Sequence, residues 1–134
     1  MKLLLLILSL FMLSGFSTKQ DTTCLALNIY FEARDQTTKG QMAVALVTIN
    51  RVTSKRFPNT ICKVVKQANR RNGKVVRNMC HFSWYCDGKP DKPKNKIAWK
   101  VAVTIAKAML EQPGVYFKRY GERWKVNDFL HGAT

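Results

Sequence analysis

Four stretches of this 134-residue chain carry apolar residues at helical spacing, which constrains it to helices packed around a shared core. The first is expected from Thr22 or Thr23, as N-cap, to Arg34, with Leu25, Asn28, Ile29 and Glu32 on one face. The second runs from Thr38 to Arg51 with Met42, Ala45, Leu46, Ile49 and Val52 as its buried stripe. A short third helix is capped by Asn59 or Thr60 and turns Ile61, Val64, Val65 and Ala68 inward. The fourth spans Lys96 to Glu111, with Ile97, Val101, Ile105, Ala108 and Met109 in register, and Pro113-Gly114 ends it. Between the third and fourth, Asn72-Gly73 reads as the two-residue turn of a β-hairpin, and the proline- and lysine-rich stretch 89–94 as a surface loop. The expected fold class is therefore mainly helical with a small β-hairpin.

The N-terminus reads as an address. Lys2 precedes an almost unbroken apolar run, Leu3 to Leu13, and Ser14-Gly15-Phe16-Ser17 then supplies small residues at alternate positions, as a cleavage site requires. The run is short for a membrane span, which takes about 20 apolar residues. Residues 1–17 are expected to be a signal peptide, or a releasable anchor, and 18–134 a single domain that is secreted, periplasmic or in the cell wall. The only membrane contact expected is through that N-terminal segment.

Export favours disulfides. Four cysteines, Cys24, Cys62, Cys80 and Cys86, permit three pairings. We favour Cys80–Cys86, closing a short loop, with Cys24–Cys62 tying the first helix to a later one. Zinc is the competing reading, but no Cys-x-x-Cys pair supports it, so neither metal nor cofactor is expected.

Charge points to partners. Twenty-three Lys and Arg against eight acids leave a net charge of +15, which promotes binding to polyanions whatever the fold. For an exported protein, anionic envelope polymers come first. The densest basic segments, 69–77 and 89–96, do not interleave base-stacking aromatics, so no specific nucleic acid is expected.

Among the eight acids, Glu32 is the one set inside an apolar, helix-patterned run, Cys24-Leu-Ala-Leu-Asn-Ile-Tyr-Phe-Glu-Ala-Arg34. A carboxyl among apolar groups has its charged form disfavoured, so its pKa rises and it can hold a proton near neutral pH. Such a group suits general acid catalysis.

That run is followed by Gly40-Gln-Met-Ala-Val-Ala-Leu-Val-Thr-Ile-Asn-Arg51, Phe57-Pro-Asn-Thr-Ile-Cys62 and Cys80-His-Phe-Ser-Trp-Tyr-Cys-Asp-Gly88. In this order and spacing, from Cys24 to Leu110, the chain resembles the SleB-like cell-wall hydrolases, the spore-cortex-lytic enzymes and their bacterial and phage relatives. The resemblance implies a lysozyme-like, lytic-transglycosylase-like domain that cleaves peptidoglycan glycan strands, with Glu32 as catalytic acid. Members commonly follow this glutamate segment with Gly-Glu, where this chain has Asp35-Gln36. Many also carry a His- and Tyr-bearing segment after a Gly-Ala-Thr such as Gly132-Ala-Thr134, where this sequence stops.

Two-carboxylate hydrolysis needs a second acid across the bond. From sequence none stands out: Asp35 falls past the helix end and Asp87 in a loop, so Asp87 is kept as an auxiliary. A lytic transglycosylase avoids the need, because the C6 hydroxyl of muramic acid is the nucleophile, and this mechanism is preferred. Tyr30, in the glutamate segment, is expected to bind substrate, and Phe82, Ser83, Trp84 and Tyr85 to wall the sugar cleft, their ring faces packing on sugar faces while polar tips bond hydroxyls. Gln41 and Asn50 could each reach an N-acetyl or hydroxyl group. A monomer is expected. Two other classes stay open: a non-catalytic cationic protein that binds peptidoglycan or envelope, and a secreted ribonuclease using His81 and His131.

Overall fold

A computed structural model describes residues 18–111 and shows four helices with one small antiparallel hairpin among them. Helix α1, Lys19–Ala33, is the central element, and the other helices all pack on it. It starts earlier than the apolar pattern indicated. Thr18 accepts a hydrogen bond from the Asp21 backbone N–H (3.1 Å), and the Asp21 carboxylate accepts one from the Thr18 backbone N–H (3.3 Å). This reciprocal box satisfies donors that helix starts leave open, so nucleation falls on Thr18 rather than Thr22 or Thr23.

Helix α2 spans Thr38–Thr53 and is capped by Thr37, whose hydroxyl accepts from the Gly40 N–H. Its buried residues are Gln41, Ala43, Ala45 and Thr48, while Met42, Leu46, Ile49 and Val52 pack only partly buried against the core. The expected stripe is therefore shifted. Thr48 meets α1 through its hydrogen bond with Asn28, and the larger apolar residues are covered only in part.

Helix α3, Ile61–Val65, is capped by Thr60 and buries Ile61, Val64 and Val65. Ala68, expected inside it, instead begins strand β1, Ala68–Arg71, which pairs with β2, Lys74–Cys80. The turn is the one expected. Asn72 (φ 51°) and Gly73 (φ 75°) both adopt left-handed backbone, as the two-residue turn that follows strand twist demands. A 3₁₀ helix, Ser83–Cys86, follows. Then come the 87–95 loop and helix α4, Lys96–Glu111.

The bounds of α4 match the sequence pattern, but its buried face does not. Ala102, Ile105, Ala106 and Met109 face the core, whereas Ile97 is 80% and Val101 40% exposed. Alanines at 102 and 106 let α4 approach α1 closely, and that contact rotates Ile97 and Val101 outward. The expected stop at Pro113-Gly114 lies outside the described residues.

The core is continuous. Leu25 and Ile29 of α1 and Val64 and Val65 of α3 are fully buried, each contributing about 1.5–3 kcal/mol of apolar burial. Cys24–Cys62 joins α1 to α3 (Cα–Cα 5.2 Å), and Cys80–Cys86 joins the end of β2 to the 3₁₀ helix (Cα–Cα 6.1 Å). These are the favoured pairings. Among the described residues, no helix is long and apolar enough to cross a membrane.

Candidate active site

An open cleft of ≈ 710 Å³ lies between the last turn of α1, the 3₁₀ helix and the 87–95 loop. Tyr30, Glu32, Ser83, Trp84 and Asp87 line it, together with Asp91. Its construction starts at Asn28, which is fully buried in α1. The Trp84 indole Nε1–H donates to Asn28 Oδ1 (2.9 Å), Asn28 Nδ2 donates to Thr48 Oγ1 (3.0 Å), and Thr48 Oγ1 donates to the Val44 carbonyl (2.8 Å). Each side chain of this relay finds a hydrogen-bond partner away from water, as burial requires. The relay holds the indole stacked on Phe31 (centroids 4.9 Å, planes 20° apart), beside Glu32 in sequence.

Trp84 is thus 7% exposed with its polar tip engaged inside the protein. The expectation that this tip would meet sugar hydroxyls is corrected: only the residue's outer surface borders the cleft. Tyr30 is likewise 4% exposed. Its hydroxyl accepts the backbone N–H groups of Lys94 (3.1 Å) and Asn95 (3.0 Å), pinning the loop to α1. Asn95 in turn accepts from the Ala98 N–H and so caps α4. Tyr30 shapes the cleft by fixing its far wall.

Other expected contacts lie elsewhere. Gln41 is buried on α2, where its Nε2 donates to the Gln36 carbonyl. Asn50, exposed on α2, does not line the cleft. Phe82 is buried under the Arg51 guanidinium, and Tyr85 faces a different pocket across the 3₁₀ helix. Helical turns explain the split: consecutive side chains of the Phe82–Tyr85 run point in different directions, so one cleft cannot hold them all. His81 is exposed with its ring edge toward Phe57, and His131 lies outside the described residues.

Glu32 sits on the cleft side of the last turn of α1 and is exposed rather than buried, which corrects the sequence reading. Its pKa is still raised from the ordinary 4.5, first because the surrounding protein partly desolvates the carboxyl group, with the Arg51 guanidinium pulling partly the other way.

Arg51 was not singled out from sequence. It lies in the last turn of α2 with its guanidinium against the rings of Phe57 (5.2 Å) and Phe82 (4.9 Å), and its Nη1 is buried without a partner among the described residues. A basic residue at a helix C-terminus is ordinarily read as complementing the dipole, so only the folded chain connects it with Glu32.

The cleft also gathers acids that the sequence scatters. Asp87 Oδ1 accepts from the Lys89 N–H (2.8 Å), forming a local turn. Asp91, unremarked in the sequence, has a raised pKa, mainly from desolvation, then from Asp87, with Lys66 opposing. Gly88 between them has φ +81°, a left-handed backbone that favours glycine at this bend. Asp35 points elsewhere, toward Arg34 (3.9 Å) on the surface. Among the described residues, no group of three His, Cys, Asp or Glu is arranged to hold a metal ion.

The spore cortex-lytic enzyme of Bacillus cereus is 44% identical over 52 residues, covering 39% of this chain and 20% of that protein. The spore cortex-lytic enzyme of Bacillus subtilis (strain 168) is 43% identical over 51 residues, covering 38% and 16%. The chain thus spans a fifth or less of these relatives' length. No solved structure matches. The cell wall hydrolase family matches residues 35–131, a span that begins just after Glu32 and takes in Asp87, Asp91 and the whole loop wall. By that match, which covers most of the sequence, the chain belongs to the cell wall hydrolase family.

Proposed function

We propose that this protein cleaves the bond between N-acetylmuramic acid and N-acetylglucosamine in peptidoglycan, as a lytic transglycosylase with Glu32 as both acid and base. The observation that carries this is Glu32 itself: a carboxyl with a raised pKa, open to a cleft wide enough for sugar rings and bordered by the Phe31–Trp84 stack. Protonated Glu32 gives its proton to the glycosidic oxygen as the bond to C1 breaks, leaving positive charge spread over C1 and the ring oxygen. The muramic C6 hydroxyl then attacks C1, its proton passes to the Glu32 carboxylate, and a 1,6-anhydro end forms. No water is consumed, and the acid is regenerated. Arg51, close enough to act on Glu32 electrostatically, stabilises the carboxylate between the two proton transfers. Cationic Lys89, Lys92 and Lys94 on the loop attract the polyanionic wall. The substrate places the working protein outside the cytoplasm.

A second reading rests on Asp87 and Asp91 sharing the cleft with Glu32. Either could activate a water for ordinary hydrolysis. Mass spectrometry of products from purified sacculi separates the two: transglycosylation yields muropeptides one water lighter than hydrolysis does. Glu32→Gln should lower turnover roughly 100- to 10,000-fold, the usual worth of a positioned general acid. Asp87→Asn and Asp91→Asn should leave the anhydro product dominant. Reducing-end products that vanish in either aspartate variant would establish hydrolysis instead. Undiminished release by Glu32→Gln would remove the proposed chemistry altogether.

A further inference from the structure

Among the described residues, the large apolar side chains left exposed are Met79 on β2 and Ile97 and Val101 on α4. The two on α4 form one patch. They stand four residues apart, hence one above the other on the helix, and the exposed Thr104 continues that face. Ile97 is 80% open to water although the opposite side of the same helix is packed core. Single apolar residues on a surface are ordinary, but an aligned pair is a candidate contact surface. This pair also begins two residues after Asn95, which lines the cleft.

The chain itself supplies an occupant. Residues 112–134 follow α4 directly, and their sequence is rich in apolar and aromatic residues: Val115, Tyr116, Phe117, Tyr120 and Trp124 come within its first half. Pro113-Gly114 opens the segment, where proline cannot continue a helix and glycine tolerates a reversal of direction. From Glu111 back to Ile97 the helix rises about 21 Å. A returning chain covers that distance in about seven residues if extended and about 14 if helical, so this segment is long enough either way. The cell wall hydrolase match runs on to residue 131, which makes most of the segment part of the family's domain rather than a trailing linker. Covalent linkage also favours it over any separate molecule, since a short connection gives an effective concentration in the millimolar range.

We propose that residues 115–124 fold back along α4 and pack their apolar and aromatic side chains on the Ile97–Val101 face. The packed segment covers the first turns of α4, whose start is tied to the cleft wall: Asn95 accepts from the Ala98 N–H and its own N–H reaches the Tyr30 hydroxyl. It therefore braces the 87–95 loop from behind. Nothing in this packing depends on chemistry at Glu32.

The test is limited trypsin digestion of the full oxidised chain, with cut sites identified by mass spectrometry. Lys118, Arg119, Arg123 and Lys125 are the reporters in the segment, and Lys55 and Arg56, exposed after α2, are the internal reference. Ile97→Gln/Val101→Gln replaces exposed side chains by a good helix former, so the described body keeps its fold, which circular dichroism checks. Relative to the reference sites, cutting at the reporters should speed up roughly tenfold or more in the double variant, because a segment that loses its apolar anchors opens more often. Ile97→Gln alone, at the most exposed position, should speed it up roughly threefold and guards against a misfolded double variant. Equal reporter rates in the parent and both variants would overturn the proposal. A parent dimer in analytical ultracentrifugation that the double variant dissolves would give the face to a second copy instead. Pelleting with phosphatidylglycerol vesicles that only the double variant loses would give it to a lipid surface, and either result would replace the segment as occupant.

Discussion

The Trp84–Asn28–Thr48 relay makes a quantitative prediction, because it is buried and each partner can be removed alone. In Asn28→Leu, Trp84 keeps its place but its indole N–H loses its acceptor, with only 7% of the residue open to water. An unsatisfied buried donor costs about 1–3 kcal/mol. Thr48 loses the hydrogen bond it accepted but still donates to the Val44 carbonyl, so its own contribution is small. Trp84→Phe strands Asn28 Oδ1 at a similar cost of about 1–3 kcal/mol and also loses the area of the smaller ring. In the double variant both orphans disappear together. The combined loss should therefore fall short of the sum of the single losses by about 1–2 kcal/mol, a coupling typical of directly bonded partners. Urea unfolding of the oxidised protein measures all four species, and thermal melts should follow, at about 4 °C per kcal/mol for a domain of this size. Turnover should fall further than stability, because the same relay holds the indole on Phe31 beside Glu32. Additive losses, within about 0.5 kcal/mol, would show that this hydrogen bond contributes nothing specific and refute the reasoning.

Three more outcomes are expected. Because the folded-state pKa of Glu32 is raised above 4.5, the group costs no stability in acid and progressively more as pH climbs through that folded value. Glu32→Gln should therefore match the parent's melting temperature near pH 4 and exceed it near pH 8, and an advantage confined to acid would contradict the assignment. Arg51→Met removes the cation that opposes this shift, so the alkaline limb of the kcat/KM profile should move to higher pH. A limb that stays in place or moves down would exclude Arg51 from the site's electrostatics. Replacing both cysteines of the 24–62 bridge by serine should cost about 4 kcal/mol against about 2 kcal/mol for the 80–86 bridge, from loop closure entropy, and denaturant midpoints showing the reverse order would reject that account.

Local chemistry made several features legible in the sequence. The Asn72-Gly73 turn, the start of α4, the Thr60 cap and the two disulfide pairings follow from backbone preferences and chain spacing, which operate over a few residues or through simple elimination. The mainly helical class and the family were equally readable, because long segments carry them. Which face of each helix is buried was not. Periodicity marks an apolar stripe, but the neighbour decides which edge of it is covered, so alanines rather than Ile97 and Val101 meet α1.

The site divides in the same way. Glu32 could be picked out from its apolar surroundings, yet its exposure on the cleft depends on where α1 ends relative to the 3₁₀ helix. Arg51 sits 19 positions from Glu32, and Asp91 and Trp84 lie farther still along the chain. Their electrostatic and hydrogen-bonding partnerships act across a few ångströms of space, a distance no spacing rule reports. The sequence by itself determined the four helices and the hairpin in outline and singled out Glu32 as the candidate acid. Only tertiary packing decided which side chains share water, charge and hydrogen bonds with that acid, because those energies depend on separation in three dimensions rather than on order along the chain.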